Sequence, residues 1–113
     1  MTAQPVSVIV PCFNEAGTIR LLLDAIATQT YPIDDLEVLI ADGRSTDATR
    51  ETIRLWSTSH PQLKIKIVDN PARVIPSALN RAIEAASGEF IVRLDAHCVP
   101  NPDYICKDTE TRK

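Results

Sequence analysis

The chain has 113 residues, enough for one globular domain and too few for two, and its 44% hydrophobic and 24% charged residues argue against wholesale disorder. Its net charge is −3, with 12 Lys and Arg against 15 Asp and Glu, and it shows no basic stripe of the kind that duplex-binding proteins carry. We therefore expect a folded single domain that has no nucleic-acid partner.

The first predicted unit is a strand followed by a helix. Val6–Val10 is rich in β-branched residues, which is typical of a buried strand, and Pro11 should end it. Apolar residues at helical spacing then predict a helix over residues 15–30, with Asn14 as its N-cap. Pro32 should stop this helix, since the residue before a proline avoids the α region.

The second unit repeats this order. Leu36–Ala41 predicts a strand that an Asp-Gly turn closes. A helix should follow over residues 47–59, with Ser45 or Thr46 as its cap. Trp56 lies on this helix and is expected in the core.

The rest of the chain predicts a third strand, helix and strand. Lys64–Val68 is the third strand, and residues 75–86 carry the most regular helical stripe of the chain, which Gly88 should end as a C′ glycine. Phe90–Leu94 is the fourth strand. Residues 107–113 are polar and are typical of the exposed first turns of a helix, so we expect the chain to stop in mid-domain.

The order β-α-β-α-β-α-β indicates the fold class. Each crossover is long enough for a helix, so the strands should be parallel with helices on both faces of the sheet. Right-handed crossovers make this a three-layer, doubly wound α/β fold. Residues 1–113 are therefore expected to form a single partial domain.

The cysteines and the lengths of the apolar segments indicate the cellular compartment in which the chain is expected. Cys12, Cys98 and Cys106 are odd in number and lack paired spacing, which argues against a disulfide framework or a structural zinc site. No secretory signal follows Met1, and no stretch approaches the roughly 20 apolar residues of a membrane helix. These features predict a cytoplasmic chain without a membrane segment.

Chemistry is expected at the carboxyl ends of the strands, where open α/β sheets bind their ligands. Glu15, Asp42, Asp69 and Asp95 follow the four predicted strands within a few residues. Carboxylates accept hydrogen bonds from base and ribose groups and can hold a divalent cation against phosphates. These residues indicate a nucleotide as the ligand and leave its kind open.

Five segments in register resemble the signature segments of family 2 glycosyltransferases, and the resemblance extends over residues 5–105. The segments are Val6–Glu15, Gln29–Pro32 with Leu36–Asp47, Ala78–Asn80, Ser87–Glu89 and Leu94–His97. The residues around Asp42 and Asp95 resemble those of the family branch that makes succinoglycan-type exopolysaccharides.

The resemblance implies a GT-A fold of which this chain holds the nucleotide-sugar-binding half. It implies a nucleotide-diphospho-sugar donor, with a UDP-sugar favoured, and Mg²⁺ or Mn²⁺ as the cofactor. The parent enzyme would transfer the sugar with inversion to a saccharide or lipid-linked acceptor, at the cytoplasmic face of the cell membrane. The general base is expected beyond Lys113, so the chain itself is expected to be inactive.

The same resemblance suggests the residues that bind the donor. Asp95 would hold the ribose or the metal, and His97 would bind the metal, donate to a phosphate or make only a local hydrogen bond. The nucleotide-sugar-binding residues are Pro11, Phe13, Asn14, Glu15, Asp42, Gly43, Arg73, Asn80, Asp95 and Ala96, and the metal ligands are Asp95 and His97.

Two positions depart from the family pattern. The family commonly has two adjacent carboxylates after the second strand, whereas here Asp42 is followed by Gly43, which removes a frequent base contact. The usual Asp-x-Asp metal motif is replaced by Asp95-Ala96-His97, and imidazole suits Mn²⁺ better than Mg²⁺.

Other interpretations remain open from the sequence alone. Asn14 and Glu15 could only cap a helix, the Asp-Gly pair could only be a turn, and Arg73 and Asn80 could be solvated surface residues. The chain could also be another α/β nucleotide-binding enzyme, such as a nucleotidyltransferase, although it lacks both glycine-rich phosphate-loop patterns. A third alternative is a non-catalytic truncated product.

Overall fold

The computed structural model describes residues 4–111 and contains a four-stranded sheet with helices on both sides. None of the described helices is long and apolar enough to cross a membrane. The strands are β1 (Val6–Cys12), β2 (Leu36–Asp42), β3 (Lys64–Asp69) and β4 (Phe90–Arg93). The helices are α1 (Ile19–Ala27), α2 (Thr49–Ser59), α3 (Ile75–Ala85) and α4 (Tyr104–Thr111), with a 3-10 turn at Ile33–Asp35.

All three strand pairings are parallel, and the order across the sheet is β3-β2-β1-β4. β1 lies between β2 and β4, with Val8 opposite both Val38 and Val92. Parallel pairing brings the carboxyl ends of all four strands to one edge, as the sequence predicts. The expected α/β architecture is confirmed.

The two faces of the sheet carry separate apolar cores. Side chains alternate along β1, so Val8 packs with α1 and α2 on one face, while Ile9 packs with α3 on the other. Trp56 of α2 is 6% exposed and donates its indole N–H to Asp24 at 2.7 Å, which confirms its core position. Helices on both faces make the fold three-layered.

Pro11 does not end β1, contrary to the sequence prediction. A proline has no N–H to donate, but at this position the N–H would point to the β4 side, where β1 no longer has a partner. The ladder between β1 and β4 stops at Ile9, whose carbonyl accepts from Leu94 N at 3.0 Å. Pro11 faces the same side as Ile9, beyond that ladder, since alternate residues of a strand point to the same neighbour. The strand therefore continues through Pro11 to Cys12 against β2.

Helix caps also differ from the prediction. α1 begins at Ile19, so Asn14 lies in the loop before it and is not its N-cap. α2 begins at Thr49 without a cap bond from Ser45 or Thr46, and Asp47 accepts the Thr49 N–H at 2.9 Å instead. Both loops are longer than the apolar periodicity suggests because their polar residues bond across the sheet edge.

The C-terminal helix is more buried than its polar sequence suggests. Ile105 has no exposed surface and Thr109 is 4% exposed. The Ile105 N–H donates to Gln29 Oε1 at 3.0 Å, and Gln29 Nε2 donates to the Asn101 carbonyl at 2.7 Å. This side chain at the end of α1 therefore holds the start of α4. Arg112 and Lys113, which also belong to the predicted polar segment, lie outside the described residues.

Gly88 is not a left-handed C′ glycine, since no described glycine has a positive φ. A Cβ at this position would lie 2.6 Å from the backbone nitrogen of Ser7. The Gly88 N–H donates to Ser7 Oγ at 2.8 Å, and Ser7 Oγ donates to Glu37 at 2.5 Å. Burial alone would raise the pKa of Glu37, but hydrogen bonds from Ser7 and Ser87 outweigh it and hold that pKa below its usual value. The glycine is required for close packing at the amino edge of the sheet.

We predict that Gly88→Ala lowers the free energy of unfolding by roughly 1–3 kcal/mol, because the methyl group meets backbone atoms that cannot move independently. Gly17→Ala is the matched control, since a Cβ there meets nothing within 4 Å. This control should raise stability by about 0.4–1 kcal/mol through the unfolded chain. Urea titrations followed by circular dichroism measure both changes, and equal stabilities for the two variants would contradict the packing role of Gly88.

Candidate functional site

A cavity of about 230 Å³ opens at the carboxyl edge of the sheet. It extends from the loop after β3 to the loop after β4, with the end of β1 between them, and α3 forms part of its wall. The lining residues are Pro11, Cys12, Phe13, Glu15, Asn70, Arg73, Val74, Ile75, Ala78, Arg93, Asp95, Ala96 and His97. The strand ends thus meet where the topology predicts a ligand site.

The loops at this edge hold three residues in the left-handed region. Asn14, Arg44 and Arg73 have φ values of 50°, 60° and 62°, and they are the non-glycine residues with positive φ within the described chain. Each lies in the loop that follows β1, β2 or β3. Such backbone is uncommon for arginine and persists where the surroundings hold it in place. The folded chain therefore holds these three positions in a conformation that the residues would not favour by themselves.

Asn14 joins the first loop to the second. Its Oδ1 accepts the Thr46 N–H at 2.8 Å, and its own N–H donates to Ser45 Oγ at 2.9 Å. The Glu15 N–H donates to Thr49 Oγ1 at 2.9 Å. Partners more than 30 residues away hold this loop, so Asn14 orients it without lining the cavity.

Asp42 carries a buried carboxylate that is fully engaged by its neighbours. It has no exposed surface, and its Oδ2 accepts from Arg50 Nε at 2.6 Å and from the Ser45 N–H at 3.0 Å. Its Oδ1 accepts from Ser45 Oγ at 2.5 Å. The hydrogen bond with Asp42 raises the pKa of the Arg50 guanidinium, which stays charged. The carboxylate thus ties β2 to α2 and does not line the cavity.

A second, exposed ion pair lies beside the first. Arg44 contacts Asp69 at 3.2 Å, and Arg50 reaches the same carboxylate at 3.4 Å. The hydrogen bond from Arg44 is the main cause that holds the pKa of Asp69 below its usual value. These pairs link the loops after β2 and β3 on the outer side of the site.

Gly43 lies between the loops after β1 and β3, and a side-chain carbon at this position would make ordinary contacts with both. A Cβ on Gly43 would lie 3.4 Å from the Arg73 Cα and 3.5 Å from Phe13 Cδ1. The Arg73 guanidinium lies 6.0 Å from the centroid of the Phe13 ring, and this ring is 44% exposed. An aromatic face and a cation therefore stand together at the β3 side of the cavity.

The β4 side of the cavity carries Asp95 and His97. Arg93 contacts the Asp95 carboxylate at 3.3 Å, and the His97 Nδ1 lies 3.8 Å from Glu15 Oε1. The Thr18 hydroxyl lies 2.8 Å from Glu15 Oε2 and 3.1 Å from the Ala96 carbonyl. This contact joins the loops after β1 and β4 and positions the acidic and imidazole groups at one rim.

These groups offer part of a metal shell. No cluster of three or more His, Cys, Asp or Glu side chains that could hold an ion occurs within the described chain. Asp95 and His97 nevertheless present a carboxylate and an imidazole, and these side chains are 47% and 66% exposed. This combination of ligand types suits Mn²⁺ in particular. An ion with few protein ligands takes the others from phosphates and water, as is usual where a nucleotide delivers the metal. The donor set fits a cation of this kind.

The structure brings seven of the residues suggested by sequence into the cavity wall: Pro11, Phe13, Glu15, Arg73, Asp95, Ala96 and His97. Asn14, Asp42 and Gly43 lie behind that wall and orient the loops that form it. Asn80 is exposed on α3 and is not among the residues that line the cavity.

Sequence reasoning missed several lining residues. Asn70 and Arg93 stand at strand ends and could have been found from that position alone. Ile75 was interpreted only as part of a helical stripe, and Ala78 as part of that stripe and of a signature segment, whereas Val74 was not singled out. Their contribution to a cavity wall depends on how α3 crosses the sheet, which periodicity does not specify.

Residues 7–108 match the family model for glycosyl transferase family 2. The chain belongs to this family. Glycosyltransferase AglE of Haloferax volcanii is 39% identical over 94% of this chain and 34% of its own length. The succinoglycan biosynthesis protein ExoA of Rhizobium meliloti is 36% identical over 92% of this chain and 31% of its own length. This family 2 chain thus spans about a third of the length of these relatives.

Solved glycosyltransferase structures share its fold. The mannosyltransferase PcManGT from Pyrobaculum calidifontis, in complex with GDP-Man and Mn²⁺, aligns with a TM-score of 0.88 at 38% identity. That alignment covers 96% of this chain and 34% of the mannosyltransferase. S. aureus TarS 1-349 in complex with UDP aligns with a TM-score of 0.79 at 28% identity, over 95% of this chain and 31% of that TarS chain. The GT-A fold expected for a family 2 glycosyltransferase is confirmed.

We predict that Asp42→Ala lowers the free energy of unfolding by about 3 kcal/mol, because it leaves the Arg50 guanidinium and the Ser45 N–H without their buried partner. Asp69→Ala removes an exposed partner of the same arginine and should cost much less. Urea unfolding of both variants measures the difference. Similar losses for the two would show that burial of Asp42 does not stabilise this edge.

We also predict slow alkylation of Cys12, which lines the cavity but is 6% exposed. Burial is the main cause that raises the pKa of its thiol from 9.0 to about 12, with added repulsion from Asp42. The thiolate is the reactive form, so iodoacetamide at pH 8 should modify Cys12 at least about 100-fold more slowly in the native chain than in guanidinium. Peptide mapping by mass spectrometry follows the reaction, and comparable rates in the two states would refute a buried, protonated thiol.

Proposed function

We propose that this chain is the donor-binding part of a glycosyltransferase and binds a nucleotide-diphospho-sugar together with Mg²⁺ or Mn²⁺. One observation carries the proposal: a single cavity at the carboxyl edge has an aromatic ring and an arginine on its β3 side and Asp95 with His97 on its β4 side. A nucleotide sugar needs both environments, one for a flat base and one for a diphosphate.

The two sides of the cavity suit the two ends of such a donor. Phe13 offers an exposed ring face on which a base can stack, and Val74 and Ile75 extend this apolar wall. Arg73 and Arg93 line the cavity on either side of β1 and can neutralise phosphate charge. We place the base toward Phe13 and the diphosphate toward Asp95.

Asp95 and His97 would hold the cation in this arrangement. When bound, the ion neutralises the negative charge that develops on the nucleoside diphosphate as it leaves. Glu15 lies beside His97 at 3.8 Å and can orient its imidazole. The GDP-Man and Mn²⁺ complex of the similar mannosyltransferase supports the use of a divalent ion.

The reaction of the whole enzyme is proposed on the same basis. Transfer with inversion needs a general base that takes the proton of the acceptor hydroxyl. A polysaccharide or lipid-linked acceptor is proposed because the similar ExoA is named for succinoglycan biosynthesis, and the family match favours this transfer over a nucleotidyltransferase reaction.

We predict that the wild-type chain binds UDP or GDP at least about ten-fold more tightly with Mn²⁺ than without it, a difference of about 1.4 kcal/mol. Asp95→Asn should remove this enhancement, because an amide is a much poorer cation ligand than a carboxylate. Asp34→Asn is the control, since it makes the same charge change at the amino edge of the sheet.

Isothermal titration calorimetry with each nucleotide, with and without Mn²⁺, measures these affinities. The proposal fails if neither nucleotide binds at millimolar concentration, or if binding to the wild-type chain ignores the metal. Equal enhancement in the wild-type chain and Asp95→Asn would remove Asp95 from the metal site and leave nucleotide binding intact.

A further inference from the structure

Asn70 places an unpaired amide oxygen beside the candidate site. This residue follows β3 directly, is 2% exposed and lines the cavity. Its N–H donates to the Asp42 carbonyl at 2.9 Å, and its own carbonyl accepts from Arg73 N at 3.1 Å. Its Nδ2 donates to the Val74 carbonyl at 3.1 Å. Across the described residues, no donor reaches Asn70 Oδ1.

The orientation of this amide is fixed by its neighbours. If it were flipped, its oxygen would face the carbonyl oxygen of Val74, and the hydrogen bond from Nδ2 would be lost. A buried amide oxygen without a donor is disfavoured and is rare in folded proteins. Its retention at a cavity wall points to a partner that a ligand supplies.

Other acceptors near the β3 side of the cavity are already engaged. Both oxygens of Asp42 accept from Ser45 or Arg50, and Gly43 has no side chain. Asp69 pairs with Arg44 and Arg50. The Asn70 oxygen is therefore the side-chain acceptor that receives no donor among these described groups, and it lies next to the Arg73 turn that faces the Phe13 ring.

We propose that Asn70 is a specificity-determining residue for the nucleobase, and that its Oδ1 accepts the lactam N–H of the base. Uracil N3–H and guanine N1–H both supply this donor, whereas cytosine and adenine have no lactam N–H. The oxygen is shielded from solvent. Binding of the base therefore requires a local shift of residues 71–74, which follow it and are exposed. This inference rests on the proposed binding of a nucleotide donor.

The first test compares UDP, GDP, CDP and ADP on the wild-type chain and on Asn70→Ala, by calorimetry with Mn²⁺. Loss of the acceptor should weaken binding of the preferred lactam nucleotide by about ten-fold and leave CDP and ADP within about two-fold. Asn101→Ala makes the same change at an exposed residue outside the cavity and should alter no affinity. The identity of the preferred nucleotide distinguishes uracil from guanine.

The second test removes the donor from the ligand, using 3-methyl-UDP or 1-methyl-GDP. Methylation should weaken binding to the wild-type chain by about ten-fold or more and have little effect on Asn70→Ala, since the two changes remove the same hydrogen bond. This coupling depends on contact between Asn70 and the base, so a general loss of stability in the variant does not produce it.

The outcomes separate this inference from the proposed function. Coupling between methylation and Asn70→Ala supports the assignment. If Asn70→Ala weakens all four nucleotides equally, or methylation costs the same in both chains, Asn70 only shapes the loop and the inference is overturned. If the wild-type chain binds no nucleotide, the proposed function fails and the inference fails with it.

Discussion

The ion pair between the buried carboxylate of Asp42 and Arg50 anchors the loops that follow β2 and β3 at the carboxyl edge of the sheet. Asp42 ends β2 and joins it to two other elements. Its side chain accepts from Arg50 of α2, and its carbonyl accepts the N–H of Asn70 after β3. Removing one partner of a buried ion pair destabilises a fold, so we expect this pair to stabilise the loops around it. The left-handed residues Arg44 and Arg73 lie in the two loops that Asp42 joins.

The strands and the fold class could be predicted because they depend on local patterns. Val6–Val10 is rich in β-branched residues and alternates between two cores, and each crossover is long enough for a helix, which favours parallel pairing. The loop boundaries could not be predicted in the same way. Asn14 is of a residue type that often caps helices, but its side chain forms hydrogen bonds with Thr46, which lies 32 residues away. Local propensity cannot anticipate a competing bond that only the folded sheet provides.

The sequence could predict which residues stand near the candidate site, but it predicted less well what each of them contacts. Asp95 and His97 were expected at a strand end, and the cavity wall contains both. Asp42 was expected to face the donor, whereas its carboxylate has no exposed surface and accepts from Arg50. Asn70 gave no signal beyond its position, because an unpaired oxygen becomes visible only when every neighbouring donor has been placed.

The shortest strand of the sheet supports the metal side of the cavity. β4 has four residues, pairs with β1 alone in the described sheet and leads directly into Asp95 and His97. Short edge strands open more readily than central ones, and their amide hydrogens exchange sooner. A ligand that contacts both the β3 side and the β4 side of the cavity would hold the two sides of the sheet edge together. Occupancy of the cavity and order of this edge strand are therefore thermodynamically linked, so that each promotes the other.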